Sequence, residues 1–298
     1  VYSQVMQGLT AIDPKSLKII PGLAKSWTLN EDGTVYTFVL RDDVLFHPSE
    51  ELAANQRNLN TTDVIETFKL ICKRDKNGKN TVAYNVLFQD NLKGAEDSQL
   101  GKTKNIEGLK TKDNTIEITL LHRDDNFLYK LESIHASIHN RYIIEKEKTD
   151  KLIGTGPFVL TQNPISVAKI HLSRNEDYYE KDDEGNALPY LNGIDFIIEN
   201  KKLEQLELFE HGQINIILGL PAGQITKIVE GRKEDFNSKP PLLILNRQPI
   251  LESHYYFFNM EEKRFEDPKV RIAFNLAINK VKIGRDILRN QYEELGYY

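Results

Sequence analysis

Residues 35–46 alternate, with Tyr36, Phe38 and Leu40 on one side and Val35, Thr37 and Val39 on the other. A period of two predicts a strand, entered here by the turn Asn30-Glu-Asp-Gly33. The period then lengthens. Val64, Phe68 and Ile71 form one stripe of a helix, with Thr61 or Thr62 as its N-cap and Asp63 and Glu66 near its positive end. Residues 73–112 are rich in Asn, Lys, Gly and Asp and read as loops around short elements. Ile116, Ile118 and Leu120 alternate again, after the turn Lys112-Asp-Asn114. A short helix is expected over 141–148, a turn into a strand over 154–160, and strands at Ile170 and Leu172 and at Ile194 to Ile198. Leu203, Leu206 and Phe209 mark a helix stopped at Gly212, and Ala222 to Glu230 another stopped at Gly231. Asp267 caps, and Pro268 opens, a long amphipathic helix through Val270, Ala273, Phe274, Ala277, Ile278 and Val281. Strands and helices mix without a strict βαβ rhythm, which predicts an α/β or α+β chain of more than one domain.

Composition narrows the function. The chain has 298 residues, 40% hydrophobic and 28% charged, as globular proteins do. A net charge of −5 argues against nucleic acid as a partner, because the pairs Lys73-Arg74, Lys201-Lys202 and Arg232-Lys233 all have acids close by. They read as solvated faces. No apolar run approaches the roughly 20 residues of a membrane span. Cys72, the only cysteine, reads as a core residue of its helix.

Candidate chemistry is sparse. Glu132, His135 and His139 suggest a metal site if helical. Read as extended chain, the two rings stand about 13 Å apart, too far for one ion. No metal is expected there. Asp182-Asp-Glu-Gly-Asn186 lacks the alternating ligands of a calcium loop and reads as a solvated turn. No nucleophile motif, P-loop, dinucleotide fingerprint or paired cysteine motif is present, so neither an enzyme nor a cofactor is expected. Tyr255-Tyr-Phe-Phe258 predicts a strand with Tyr255 and Phe257 on one side.

The motifs taken in order resemble a known family. They run Pro21-Gly-Leu-Ala-Lys-Ser-Trp27, Asp32-Gly-Thr-Val-Tyr-Thr-Phe38, Phe46-His47, Thr61-Thr-Asp-Val64, Gly154-Thr-Gly-Pro-Phe158 and Arg174-Asn-Glu-Asp-Tyr-Tyr179. Pro189-Tyr-Leu-Asn-Gly-Ile-Asp-Phe196, Phe209-Glu-His-Gly-Gln-Ile-Asn-Ile216, Tyr255 to Asn259 and Phe265 to Lys280 follow. Their order and spacing resemble the extracellular solute-binding proteins, family 5, which serve ABC transporters for oligopeptides and dipeptides.

The resemblance implies a periplasmic-binding-protein-like type II fold, represented by its first lobe (domains I and II) and the start of the second. Residues 1–9 and 141–250 would be parts of a discontinuous domain I. Residues 10–140 would be the domain II insertion, and 251–298 the hinge crossing and first helix of domain III. Members usually run a couple of hundred residues further, and the chain opens inside a family motif.

The implied function is capture of a peptide between lobes and delivery to a membrane permease, by a monomeric periplasmic protein or lipoprotein. By position in the family, Tyr84 would reach the cleft from domain II, and Glu252, Ser253, His254 and Tyr255 would line it from the crossing strand. Tyr2 and Ser3 would directly follow the strand that pairs with the peptide backbone. Two departures stand out. Gln162-Asn163-Pro164 replaces the usual Trp, and a long acidic loop, Pro48 to Asn60, follows Phe46-His47. They leave room for other family ligands, such as nickel complexes, haem or sugars; a ligand-sensing regulator that uses this fold is a separate alternative.

Overall fold

A computed structural model describes residues 1–161, 169–221, 223–246 and 255–288. The chain divides into two units, Val1–Ile198 and Glu199–Tyr298.

The first unit opens with one helical turn, α1 (Tyr2–Val5), and an antiparallel pair, β1 (Thr10–Ile12) and β2 (Ile19–Pro21). β3 (Ala24–Leu29) and β4 (Val35–Leu40) form a hairpin around the predicted turn, where the Asn30 side chain accepts hydrogen bonds from the Thr34 and Val35 amides. Three helices follow, α2 (Thr61–Cys72), α3 (Val82–Leu87) and α4 (Ala95–Gln99). β5 (Leu109–Lys112) and β6 (Thr115–Thr119) then complete an antiparallel sheet in the order β3-β4-β6-β5. Tyr36 pairs with Ile118 and Phe38 with Ile116, so the alternating apolar residues of both strands share one buried face. The Val64, Phe68 and Ile71 stripe of α2 belongs to the same core, where Phe68 packs 4.8 Å from Phe88.

The N-cap of α2 is Asn60, one residue before the predicted threonines. Its side chain accepts from the Thr62 amide, while the Asp63 carboxylate accepts from the Asn60 amide. Asp63 is fully buried because it also accepts from the Arg141 amide, tying α2 to a later helix. That later part contains α5 (Phe127–Glu132) and α6 (Arg141–Glu145), and then the antiparallel sheet β7 (Phe158–Leu160), β8 (Lys169–Arg174) and β9 (Gly193–Ile197). The acidic loop after His47 is pinned rather than free. Glu51 binds Lys148 at 2.6 Å and Lys151 at 2.7 Å, and Arg57 binds Asp177.

The unit holds two cores. The larger draws on residues from Leu9 to Ile153 and includes Cys72; the smaller is Val5, Met6, Phe158 and Leu172. Every described strand pair is antiparallel, which makes the chain α+β.

The second unit contains α7 (Lys202–Glu210), α8 (Ile225–Gly231), α9 (Lys233–Asn237) and α10 (Pro268–Ala277). Asp267 caps α10 through the Lys269 amide and Pro268 sits in its first turn, as predicted. The helix stops short of Val281 because Ile278 turns extended. Residues 255–258 form no strand: among the described residues no neighbour offers them a ladder. Their alternation nevertheless survives. Tyr255 meets Phe257 edge-on at 4.6 Å, while Phe258 packs on Phe265 and Phe274. Among the described residues this unit buries no hydrophobic side chain, and Leu218 and Phe257 are 79% and 84% exposed. No described helix is long and apolar enough to cross a membrane.

Candidate functional site

The Gly-Thr-Gly-Pro motif is a structural lock. Its backbone passes directly over α1, and the Gly156 amide donates to the Val5 carbonyl at 2.9 Å. A Cβ at Gly154 would lie 1.9 Å from the Val5 oxygen, and one at Gly156 would lie 2.5 Å from that of Gln4. Only glycine allows this approach. His47, 1% exposed, clamps the loop from the other side. Its amide donates to the Gly154 carbonyl, the Gly154 amide donates to Nδ1 at 3.3 Å, and Nε2 lies 2.9 Å from the Gly156 oxygen. An amide can only donate, so Nδ1 is the acceptor and the proton sits on Nε2. The ring is neutral, and burial lowers its pKa to about 4.

Asn175 joins the same knot by donating from Nδ2 to the Gly156 oxygen. Gln7 donates to both the Tyr178 and Tyr179 hydroxyls and accepts from Thr155. Phe46-His47, Gly154–Phe158 and Arg174–Tyr179, far apart in sequence, thus converge on the first residues of the chain.

The first unit also carries a groove of about 460 Å³. Tyr2 from α1 forms one wall, Thr67, Leu70, Ile71, Lys73 and Arg74 of α2 and its end another, with Thr81 and Ala83 beside them. Ile134, His135, Ser137, His139 and Thr149 close it. The segment bearing the two histidines is not continuously extended: Ile134–Ala136 make a tight helical turn, and only then does the chain extend. Thr67 holds it in place, accepting from the His139 amide at 3.0 Å and donating to its carbonyl. Burial lowers the His139 pKa to about 4. Burial raises that of the Tyr2 phenol, opposed by its hydrogen bond with Ser137. None of the lining residues is acidic. Among the described residues no group of three or more His, Cys, Asp or Glu side chains is placed to hold a metal.

Tyr84 is 2% exposed and belongs to the larger core, which corrects its expected place on a cleft wall. The reason is local. Thr81 caps α3 by accepting from the Tyr84 amide, and the helix so begun turns Val82 to solvent and Tyr84 and Leu87 inward. Glu252, Ser253 and His254 lie outside the described residues. Tyr255 is 67% exposed. The groove was missed in the sequence because Lys73-Arg74 reads as a solvated pair, and nothing in the spacing of 67, 73 and 137 announces that they share a wall. The Asp182 loop is a turn organised by its own carboxylate, which accepts from Glu184, Asn186 and the Tyr190 hydroxyl.

Relatives place this architecture. The chain is 28% identical over 291 residues to di/tripeptide-binding protein 1 of Pseudomonas aeruginosa, covering 94% of this chain and 49% of that protein. It is 29% identical over 296 residues to heme-binding protein A of Haemophilus influenzae, covering 94% and 48%. The ABC transporter-associated periplasmic binding protein DppA of Helicobacter pylori, solved with the peptide STSA, superimposes with a TM-score of 0.71 at 21% identity. That match covers 96% of this chain and 53% of DppA. The fold is therefore of the type II periplasmic-binding-protein kind, and the chain spans about half the length of the curated relatives it matches. The profile of the bacterial extracellular solute-binding proteins, family 5 (middle), matches residues 18–297, and the chain belongs to that family.

Proposed function

We propose that this chain is part of the substrate-binding component of an ABC importer, one that captures a peptide between two lobes and passes it to a membrane permease. The observation that carries the reading is the family match over residues 18–297, joined to relatives named for di- and tripeptide binding. Such a protein is extracytoplasmic, free in the periplasm or held by a lipid anchor. It performs no chemistry on its ligand, and hinge closure does the work.

An insertion of residues 10–140 within a domain built from residues 1–9 and 141–250 carries over from the family pattern; most of the larger core falls inside that insertion, and the smaller core joins Val5 and Met6 to Phe158 and Leu172. The crossing to a second lobe at about residue 251 carries over from the family pattern. In this reading Glu252, Ser253, His254 and Tyr255 belong to the crossing and face the ligand, and Tyr84 supports the wall from behind.

A second reading, a non-peptide solute, is favoured by the similarity to heme-binding protein A. Native mass spectrometry of the protein isolated from its natural source separates the two. Peptides released on denaturation are expected. A haem or nickel adduct in their place would replace the peptide reading with the second.

A further inference from the structure

Three polar side chains meet at the edge of the larger core of the first unit. Asn91, a few residues beyond α3, is 3% exposed, and the side chain of Asp124, just before α5, is 11% exposed. Their neighbours in sequence, Leu87, Leu92, Phe127 and Leu131, are all buried members of that core. One oxygen, Asp124 Oδ2, accepts from both of the others: from the Lys130 amine at 2.6 Å and from the Asn91 carboxamide nitrogen at 2.9 Å. The amine therefore stands within two hydrogen-bond lengths of the carboxamide. The group is also fixed from outside. The Asn91 amide donates to the Phe88 carbonyl, its carbonyl accepts from Leu121, and Asp124 Oδ1 accepts the Asn126 amide at 3.0 Å. Asn91 Oδ1 has no partner among the described residues, a buried polar atom that calls for an explanation. Nothing therefore ties down the carbonyl end of the carboxamide. Cys72 is the only cysteine, so an internal disulfide cannot brace this core.

We propose that Lys130 and Asn91 join through an amide bond between their side chains, with Asp124 moving the protons. The Asp124 carboxylate takes a proton from the Lys130 ammonium along the 2.6 Å bond, which gives Nζ a lone pair. Nζ then attacks Cγ of Asn91, and the Cγ–Nδ2 bond breaks. Both protons that Nζ sheds pass through Asp124 to Nδ2, which leaves as ammonium and restores the carboxylate. Atoms and charge balance: one ammonium replaces another, nothing is oxidised or reduced, and no co-reactant enters. Burial pushes the Asp124 pKa up, but the hydrogen bond and charge of Lys130, with the bonds from the Asn126 amide and Asn91, hold it below the usual range. The resting carboxyl is thus the base that the step requires. The bond ties the chain beyond α3 to α5 and encloses α4, β5 and β6, so it restricts the unfolded chain as a disulfide does.

The test is intact mass spectrometry of the purified 298-residue chain after incubation in the folded state, with a protease digest to locate any link. Wild type is expected to weigh one ammonia less than its sequence, and its digest to contain a branched peptide joining residues 91 and 130. Lys130→Arg keeps a cation on Asp124 but removes the attacking amine, and should show the full sequence mass. Asp124→Ala keeps amine and carboxamide but removes the base, and should also stay unlinked. Should that variant fail to fold, wild type and Lys130→Arg decide the matter alone. The linked fraction is expected to grow while wild type is held folded and not while it is held in urea. Full sequence mass in folded wild type, an ammonia loss that persists in Lys130→Arg, or loss of water with Lys130 joined to Asp124 would each overturn the proposal.

Discussion

Protonation of His47 should open the lock between the glycine loop and α1, and its effect on stability can be worked out. In an unfolded chain the ring titrates near 6.5; in the fold, burial, with the Arg57 charge adding to it, lowers that to about 4. Between those values the unfolded chain binds more protons than the folded one, so stability rises with pH across the window. Above 6.5 the contribution is complete. It drains as pH falls from about 6.5 and is gone below about 4. A separation of 2.5 units corresponds to about 3 kcal/mol, at about 1.4 kcal/mol per unit. His139, whose pKa burial also lowers to about 4, adds a loss in the same window.

The decisive comparison is wild type against His47→Gln, by urea unfolding at pH 7.5, 5.5 and 4.5. At pH 7.5 the variant should be less stable by about 1–3 kcal/mol, because the Gly154 amide loses a good acceptor. Toward pH 4.5 that gap should close or reverse, because the glutamine does not titrate. Carboxylates and His139 affect both proteins and cancel in the difference. Parallel stability profiles for the two proteins would refute the neutral, clamped imidazole.

Other consequences are equally specific. Gly154→Ala should lower stability by about 3 kcal/mol, since its methyl would meet the Val5 carbonyl and the loop and α1 must part; an unchanged urea midpoint would contradict this. Tyr84→Ala should cost about 3–5 kcal/mol in chemical denaturation, as a core truncation, which a cleft-facing tyrosine would not. Asp63→Ala strands the Asn60 and Arg141 amides and should cost roughly 2–4 kcal/mol in the same assay, with loss of less than 1 kcal/mol arguing that water replaces the carboxylate. Limited proteolysis should cut first beyond residue 198 and leave a resistant fragment of the first unit, because the second buries no hydrophobic side chain among the described residues. Fragments that begin inside residues 10–140 would reverse that order.

The parts of the fold that were legible in the sequence are those whose signal is local. The alternation at Tyr36, Phe38 and Leu40, the stripe of α2 and the Asp267-Pro268 start of α10 each depend on neighbours within a few positions, and each emerged where expected. α1, β1, β2 and α5 went unseen because they are too short to show a period. The Tyr255–Phe258 run shows the limit of propensity, since a strand needs a partner as well as suitable side chains. Tyr84 failed for another reason. Family position predicts which residue stands at a place, whereas its direction was set by the Thr81 cap. The groove depends on residues 2, 67, 74 and 137 meeting in space, and no one-dimensional pattern carries that.

The lock between α1 and the glycine loop also sets a timetable for the growing chain. Val5 finds its partner only when Gly156, about 150 positions later, has been made. At translation rates of roughly 5–20 residues per second that interval is about 8–30 s. Most of the larger core, from Leu9 to Ile153, can assemble meanwhile from hairpins and helices close in sequence. Val5 and Met6 have no such option, because Phe158 and Leu172 complete their core. Val5 and Met6 are thus made long before the residues that shelter them, and they form a stretch of this unit that a chaperone would have long to hold.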